Sequence, residues 1–154
     1  TPSNIASLSN LSSSVGTLSP AFTSATTSYA VTVPSATSSI TITPTATQAA
    51  ATIAVAGNSL ASGTASGSLP LNYGPNPINV VVTAEDASTT KTYSMVITRT
   101  RPQIEVRQPA GTSLISGAST KTFGSILTGT SATMSFAIRN SGQEDLVLGL
   151  LTFA

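Results

Sequence analysis

Cysteine and histidine are both absent from this chain. Without cysteine there can be no disulfide, no thiolate metal site and no thiol nucleophile. Without imidazole, the triads that activate serine or cysteine through histidine are excluded too. Charge is almost as scarce: Asp, Glu, Lys and Arg make up 7% of the 154 residues, against about 25% in an average globular domain. The six basic and five acidic side chains are scattered and sum to +1. A nucleic-acid partner requires clustered Lys and Arg to displace counterions from phosphates, and an anionic membrane surface requires a similar basic patch. Neither partner is expected. No apolar run reaches the roughly 18 residues of a spanning helix, so no direct membrane insertion is expected.

Serine and threonine, about a third of the chain, fill the space that charge leaves, and 40% of residues are hydrophobic. Ser and Thr alternate with Val and Ile, which is the pattern of a half-buried strand surface and not of a disordered tract. The clearest case is residues 76–99. Ile78, Val80, Val82 and Ala84 alternate with Asn79, Val81 and Thr83, and after a polar break Tyr93, Met95 and Ile97 alternate with Thr92, Ser94, Val96 and Thr98. Two period-2 segments joined by Glu85-Asp86-Ala87-Ser88-Thr89-Thr90 predict a long β-hairpin with one apolar face, which needs a second sheet to cover it.

Upstream, a short strand is expected near residues 4–9, followed by a serine-rich loop with Phe22 as a plug beneath it. Ser28–Val33 places Tyr29, Val31 and Val33 on one face. Residues 39–43 form a strand that Pro44 ends. Residues 52–56 form another, turned by Gly57-Asn58, and residues 66–71 lead into the turn Asn72-Tyr73-Gly74-Pro75. Seven short strands with Gly, Pro and Asn punctuation, and no helical apolar stripe, predict an all-β antiparallel sandwich over residues 1–100. The pattern resets near Thr100-Arg101-Pro102. In residues 101–154, strands are expected at residues 104–106, 121–126, 132–139 (Met134, Phe136 and Ile138 inward) and 146–153, with a hairpin turn at Asn140-Ser141-Gly142-Gln143. That is half of a second sandwich.

These residues carry two resemblances. Gly16-Thr17-Leu18-Ser19-Pro20-Ala21-Phe22, Thr27-Ser28-Tyr29-Ala30-Val31-Thr32-Val33-Pro34, Val82-Thr83-Ala84-Glu85-Asp86 and Thr90-Lys91-Thr92-Tyr93-Ser94-Met95-Val96-Ile97-Thr98-Arg99 resemble the bacterial cadherin-like β-sandwich family over about residues 4–99. The resemblance implies an immunoglobulin- or cadherin-like fold and a non-catalytic, tandemly arranged module of large surface or secreted proteins. Pro102-Gln103-Ile104-Glu105-Val106, Phe123-Gly124-Ser125-Ile126 and Phe136-Ala137-Ile138-Arg139-Asn140-Ser141-Gly142 are similar to the start of a choice-of-anchor D domain. That implies an immunoglobulin-like sandwich of which about half is present.

Sites for chemistry are few. The carboxylates Glu85, Asp86, Glu105, Glu144 and Asp145 do not form a facing pair of the kind glycoside hydrolysis requires, and Glu85 and Asp86 read as a polar turn. Calcium needs several converging oxygens, and neither metal nor cofactor is expected. Tyr29 and Tyr93 fall in phase with the core. Tyr73 alone is expected near solvent and is the one candidate ligand-binding residue. Arg99 and Arg101 flank the junction, where they either bridge to carbonyls across it or are simply solvated.

The expectation is a non-enzymatic spacer or adhesion module of a bacterial surface or secreted protein. The alternative is a carbohydrate-binding module acting through a sheet face or the Tyr73 loop. Since the chain opens Thr1-Pro2, it reads as a piece of a longer protein. Partners would be neighbouring domains of that protein, a glycan or protein ligand, and a second copy pairing through the apolar residues 146–153.

Overall fold

The computed structural model describes residues 1–108, 112–115, 121–122 and 124–149, which form strands, turns and irregular connections with no helix. They fall into two compact units, Thr1–Arg101 and Pro102–Ala154.

The first unit holds β1 (Leu8–Ser13), β2 (Ser28–Val33), β3 (Ser39–Ile40), β4 (Ile42–Ala46), β5 (Thr52–Val55), β6 (Asn58–Leu60), β7 (Leu69–Pro70), β8 (Gly74–Thr83) and β9 (Thr90–Arg99). β8 and β9 pair antiparallel in unbroken register from Gly74↔Arg99 to Thr83↔Thr90. The apolar alternation therefore lands on one face: Val80, Val82, Tyr93, Met95 and Ile97 have no exposed surface. The hairpin is the centre of a five-stranded sheet ordered β2-β9-β8-β5-β6. The opposing layer is made of the β1–β4 and β3–β7 pairs. Backbone bonds from Ser14 N to Thr41 O (3.0 Å) and from Leu71 N to Ser38 O (2.9 Å) lengthen the first and the second of these pairs by one rung each. Leu8, Leu11, Ile40 and Ile42 from this layer close the core over Tyr29, Val31 and the hairpin.

The all-β sandwich class is as expected, but five details differ. The first strand is β1, not residues 4–9. Ile5 is 45% exposed, while Leu8 and Leu11 are both buried although three residues apart. A bulge between Leu8 and Asn10 resets the phase, and a period-2 search does not see through it. Pro44 lies inside β4 instead of ending it. The backbone of Ile42, Pro44 and Ala46 bonds on the side away from β1, with Ser66, Gly63 and the Ser62 hydroxyl. The N–H that Pro44 lacks would have faced this irregular segment, so no ladder bond is lost. β6 was not anticipated, because its hairpin turn is Ala56-Gly57, with Ala56 at φ 48°, a conformation sequence does not advertise for alanine. Finally, β2 runs parallel to β9, the exception in an otherwise antiparallel sheet. Residues 66–71 contribute only the two-residue β7.

In the second unit β10 (Ile104–Arg107) is flanked by β11 (Ser113–Leu114) and β12 (Ala137–Asn140), all antiparallel. Register places Val106, Leu114 and Ile138 side by side. Phe136 and Ile138 were expected inward, yet they are 47% and 40% exposed. Three short strands among the described residues provide one layer, and an apolar face without a second layer stays wet. Met134 and Phe136 precede β12, which begins only at Ala137. The turn after it forms, with Gly142 N donating to Asn140 Oδ1 (3.0 Å), but residues 146–149 are not a strand. Of the strand expected at 121–126, the described residues are irregular. Phe123, Leu150, Leu151 and Phe153 lie outside the described residues.

Candidate functional site

The charged side chains of the first unit, Glu85, Asp86, Lys91, Arg99 and Arg101, lie toward its two poles, near Ser3 and near Thr100. At the first pole, Ser3 N donates to Glu85 Oε2 (2.9 Å) and Asp86 N donates to Ser3 O (3.1 Å), fixing the start of the chain on the β8–β9 turn. The Asp86 carboxylate accepts from the Thr89 hydroxyl (2.6 Å) and from the Thr89 and Ser88 amides (2.8 and 2.9 Å). These bonds, the Thr89 hydroxyl first, hold its pKa down to about 2, because each stabilises the charged form. Both oxygens are occupied by the protein's own donors, so Asp86 acts as a turn cap. Glu85 faces a different partner, and the two carboxylates do not converge. Among the described residues no three His, Cys, Asp or Glu side chains come together.

Above this pole the two core tyrosines carry polar tips that find partners, as buried phenols require. The Tyr93 hydroxyl accepts from Leu8 N and donates to Ser24 O, both at 3.0 Å. Lys91 Nζ also donates to Ser24 O (2.6 Å). The Tyr29 hydroxyl donates to Thr23 O (2.7 Å) and accepts from Thr23 N (3.2 Å). Phe22 stacks on Tyr29 with ring centroids 5.9 Å apart. Together these contacts pin the irregular loop before β2, with Phe22 as its plug.

At the opposite pole β9 ends on Arg99. Its Nε and Nη2 donate to Ser35 O (3.0 and 2.6 Å) and its Nη1 to Leu71 O (2.9 Å). The guanidinium also lies 4.3 Å from the Tyr73 ring centroid, a cation–π stack. Tyr73 is exposed, as expected, but Arg99 occupies one of its ring faces. Arg99 was expected to reach across the junction or into water; its hydrogen bonds instead stay within the first unit, while Arg101 is exposed. Thr100 is buried and donates its amide (2.9 Å) and hydroxyl (3.1 Å) to Val33 O. Asn76, which sequence reasoning passed over, organises the Tyr73 turn. Its Nδ2 donates to Asn72 O (2.9 Å), Gly74 O (2.9 Å) and Ile97 O (3.1 Å), and its Oδ1 accepts from Asn72 N (2.8 Å). The available signal was its place in Pro75-Asn76-Pro77: flanking prolines supply no N–H, so a side-chain amide must.

A shallow cleft of about 140 Å³ opens beside β6, lined by Ser59, Leu60, Ser66, Ser68 and Leu69 among others. It holds no titratable group, and it is smaller than the roughly 300–1,000 Å³ of typical ligand sites.

The geometry of the first unit thus offers two anchored ends on a closed core. Comparison with known proteins agrees with the β-sandwich fold. Residues 8–100 match the family described as “Cadherin-like beta sandwich domain”. A protein of Evansella cellulosilytica named “Putative membrane protein” is 46% identical over 87 residues, 56% of this chain. The chain spans 13% of that relative's length. Among the described residues no helix is long and apolar enough to cross a membrane.

Proposed function

The chain belongs to the cadherin-like β-sandwich family, and from that premise we propose that it is a non-catalytic connecting module of a larger bacterial surface or secreted protein. The observation that carries this is the placement of the two ends. Ser3 is tied to the Glu85-Asp86 turn at the start of β9, whereas Thr100 leaves at the other end of the same ten-residue strand. A strand of that length spans about 30 Å. A domain that takes the chain in at one pole and releases it at the other acts as a rigid spacer between its two neighbours in the chain. A match covering only a small part of a much longer relative fits a module in series. Its sheet faces, rich in Thr and Ser and poor in charge, suit a surface exposed to the medium.

The spacer reading expects no ligand. A glycan array probed with the labelled chain should give no signal above background. Reproducible binding that Tyr73→Ala abolishes would replace the spacer with a carbohydrate-binding module. For residues 102–154 the proposal is the beginning of a second immunoglobulin-like module, on its resemblance to choice-of-anchor D domains.

A further inference from the structure

We infer that the parallel β2–β9 ladder is a tensile clamp, the element that resists extension when the module is pulled through its two ends; this rests on the connecting-module reading above. The geometry sets the direction of load. Tension comes in at Ser3, beside the Asp86 turn, and leaves at Thr100, so it runs along β9. β1 is the first strand it meets, and the β1–β4 ladder is interrupted by a bulge between Leu8 and Asn10, which breaks its register near the loaded end. Beyond β1 the next regular element is β2. Its first residue, Ser28, is then drawn toward the Asp86 pole, while the end of β9 is drawn the opposite way.

Two parallel strands loaded at opposite ends can separate only by sliding. Their hydrogen bonds are evenly spaced along the ladder, so all of them share the load and must break together. Loaded at the same end, the identical bonds would open one at a time. The β2–β9 register runs unbroken through six pairs, from Ser28↔Ser94 to Val33↔Arg99. Bonds at both ends extend it: Ser94 N to Thr27 O (2.8 Å) below and Thr100 N to Val33 O (2.9 Å) above. Arg99 then closes the loaded end with two donors on Ser35 O. The alternate residues Tyr29, Val31, Val33, Met95 and Ile97 are buried, so sliding also drags apolar side chains out of register with the core. The outer edge of β2 is covered as well. Ser19 and Ala30 exchange both backbone bonds at 2.8 Å, and Gly16 lies so close that a Cβ there would sit 2.8 Å from Thr32 O.

Because the chain has no cysteine, thiol handles can be placed at will. Pro2, Ala36 and Arg101 are exposed. Single-molecule pulling on the full chain carrying Pro2→Cys with Arg101→Cys loads the ladder in shear. Ala36→Cys with Arg101→Cys loads the same ladder from its Val33–Arg99 end and unzips it. Forced unfolding is governed by the unfolding barrier along the pulled direction and not by equilibrium stability. The clamp therefore predicts a severalfold higher unfolding force in the first geometry at equal loading rate. Equal forces, or a higher force in the second geometry, would overturn it. Such a result would leave the spacer reading standing, because that depends on the distance between the ends and not on the force that separates them.

Discussion

Val82 and Ile97 have no exposed surface, and both sit in the alternation that marked the hairpin. Truncation of either to alanine removes transfer energy and leaves a cavity, at a cost of about 2–4 kcal/mol. Chemical denaturation should show that loss; midpoints unchanged from the parent would mean that the strand phase is wrong. Asp86 makes a different demand. Its folded pKa of about 2 lies below the roughly 3.9 of an unfolded aspartate, so its contribution is fully present above about pH 4. It is lost as pH falls through 2, because protonation then costs less in the unfolded chain. Melting temperature should decline over that window, and Asp86→Ala should flatten the decline; an equally steep decline in the variant would assign it elsewhere. The roles of residues were unevenly legible. In β2, β8 and β9 the inward positions followed from period 2, and the turn capped by Asp86 followed from residue type. Arg99 and Asn76 did not, because their partners are the carbonyls of Ser35, Leu71 and Ile97, which composition cannot point to.

At the scale of elements, β2 and the β8–β9 hairpin were visible because polar and apolar residues alternate without interruption. β1 was displaced by its bulge, and β4 seemed to stop at a proline that its own edge tolerates. The parallel pairing of β2 with β9 is a matter of topology: alternation identifies a strand but carries no record of its neighbour's direction. Tyr93 links these elements, since one hydroxyl joins β9 to β1 at Leu8 and to the loop at Ser24. Tyr93→Phe leaves the ring in place but strands the buried Leu8 amide, a penalty of about 1–3 kcal/mol. Hydrogen exchange should show Leu8 and the neighbouring β1 amides losing protection first. Protection unchanged across β1 would mean that the strand is held by its ladder to β4 alone.

For the whole molecule, the two units differ in how much apolar surface their described residues bury. The first buries a continuous core between two layers, whereas the second leaves Ile104, Phe136, Ile138, Val147 and Leu148 substantially exposed. Apolar surface left wet costs about 25 cal/mol per Å². The sequence expectation of two copies meeting through the C-terminal half therefore stands as a proposal. Light scattering after size exclusion should report twice the chain mass, falling to the monomer on dilution; a monomer at every concentration would exclude self-association. This half was also the least legible: Met134, Phe136 and Ile138 alternate as an inward face would, yet among the described residues no second layer covers Phe136 and Ile138.

The central claim is that the first unit holds its two ends apart as a rigid body, and the distance between those ends tests it most directly. Spin labels on Pro2→Cys and Arg101→Cys, both at exposed positions, can be measured by pulsed electron resonance in the full chain. The account predicts a single narrow distribution near the length of β9, about 30 Å between backbones. It should be unchanged by calcium or by chelator. A broad distribution, or one centred well below half that length, would contradict it.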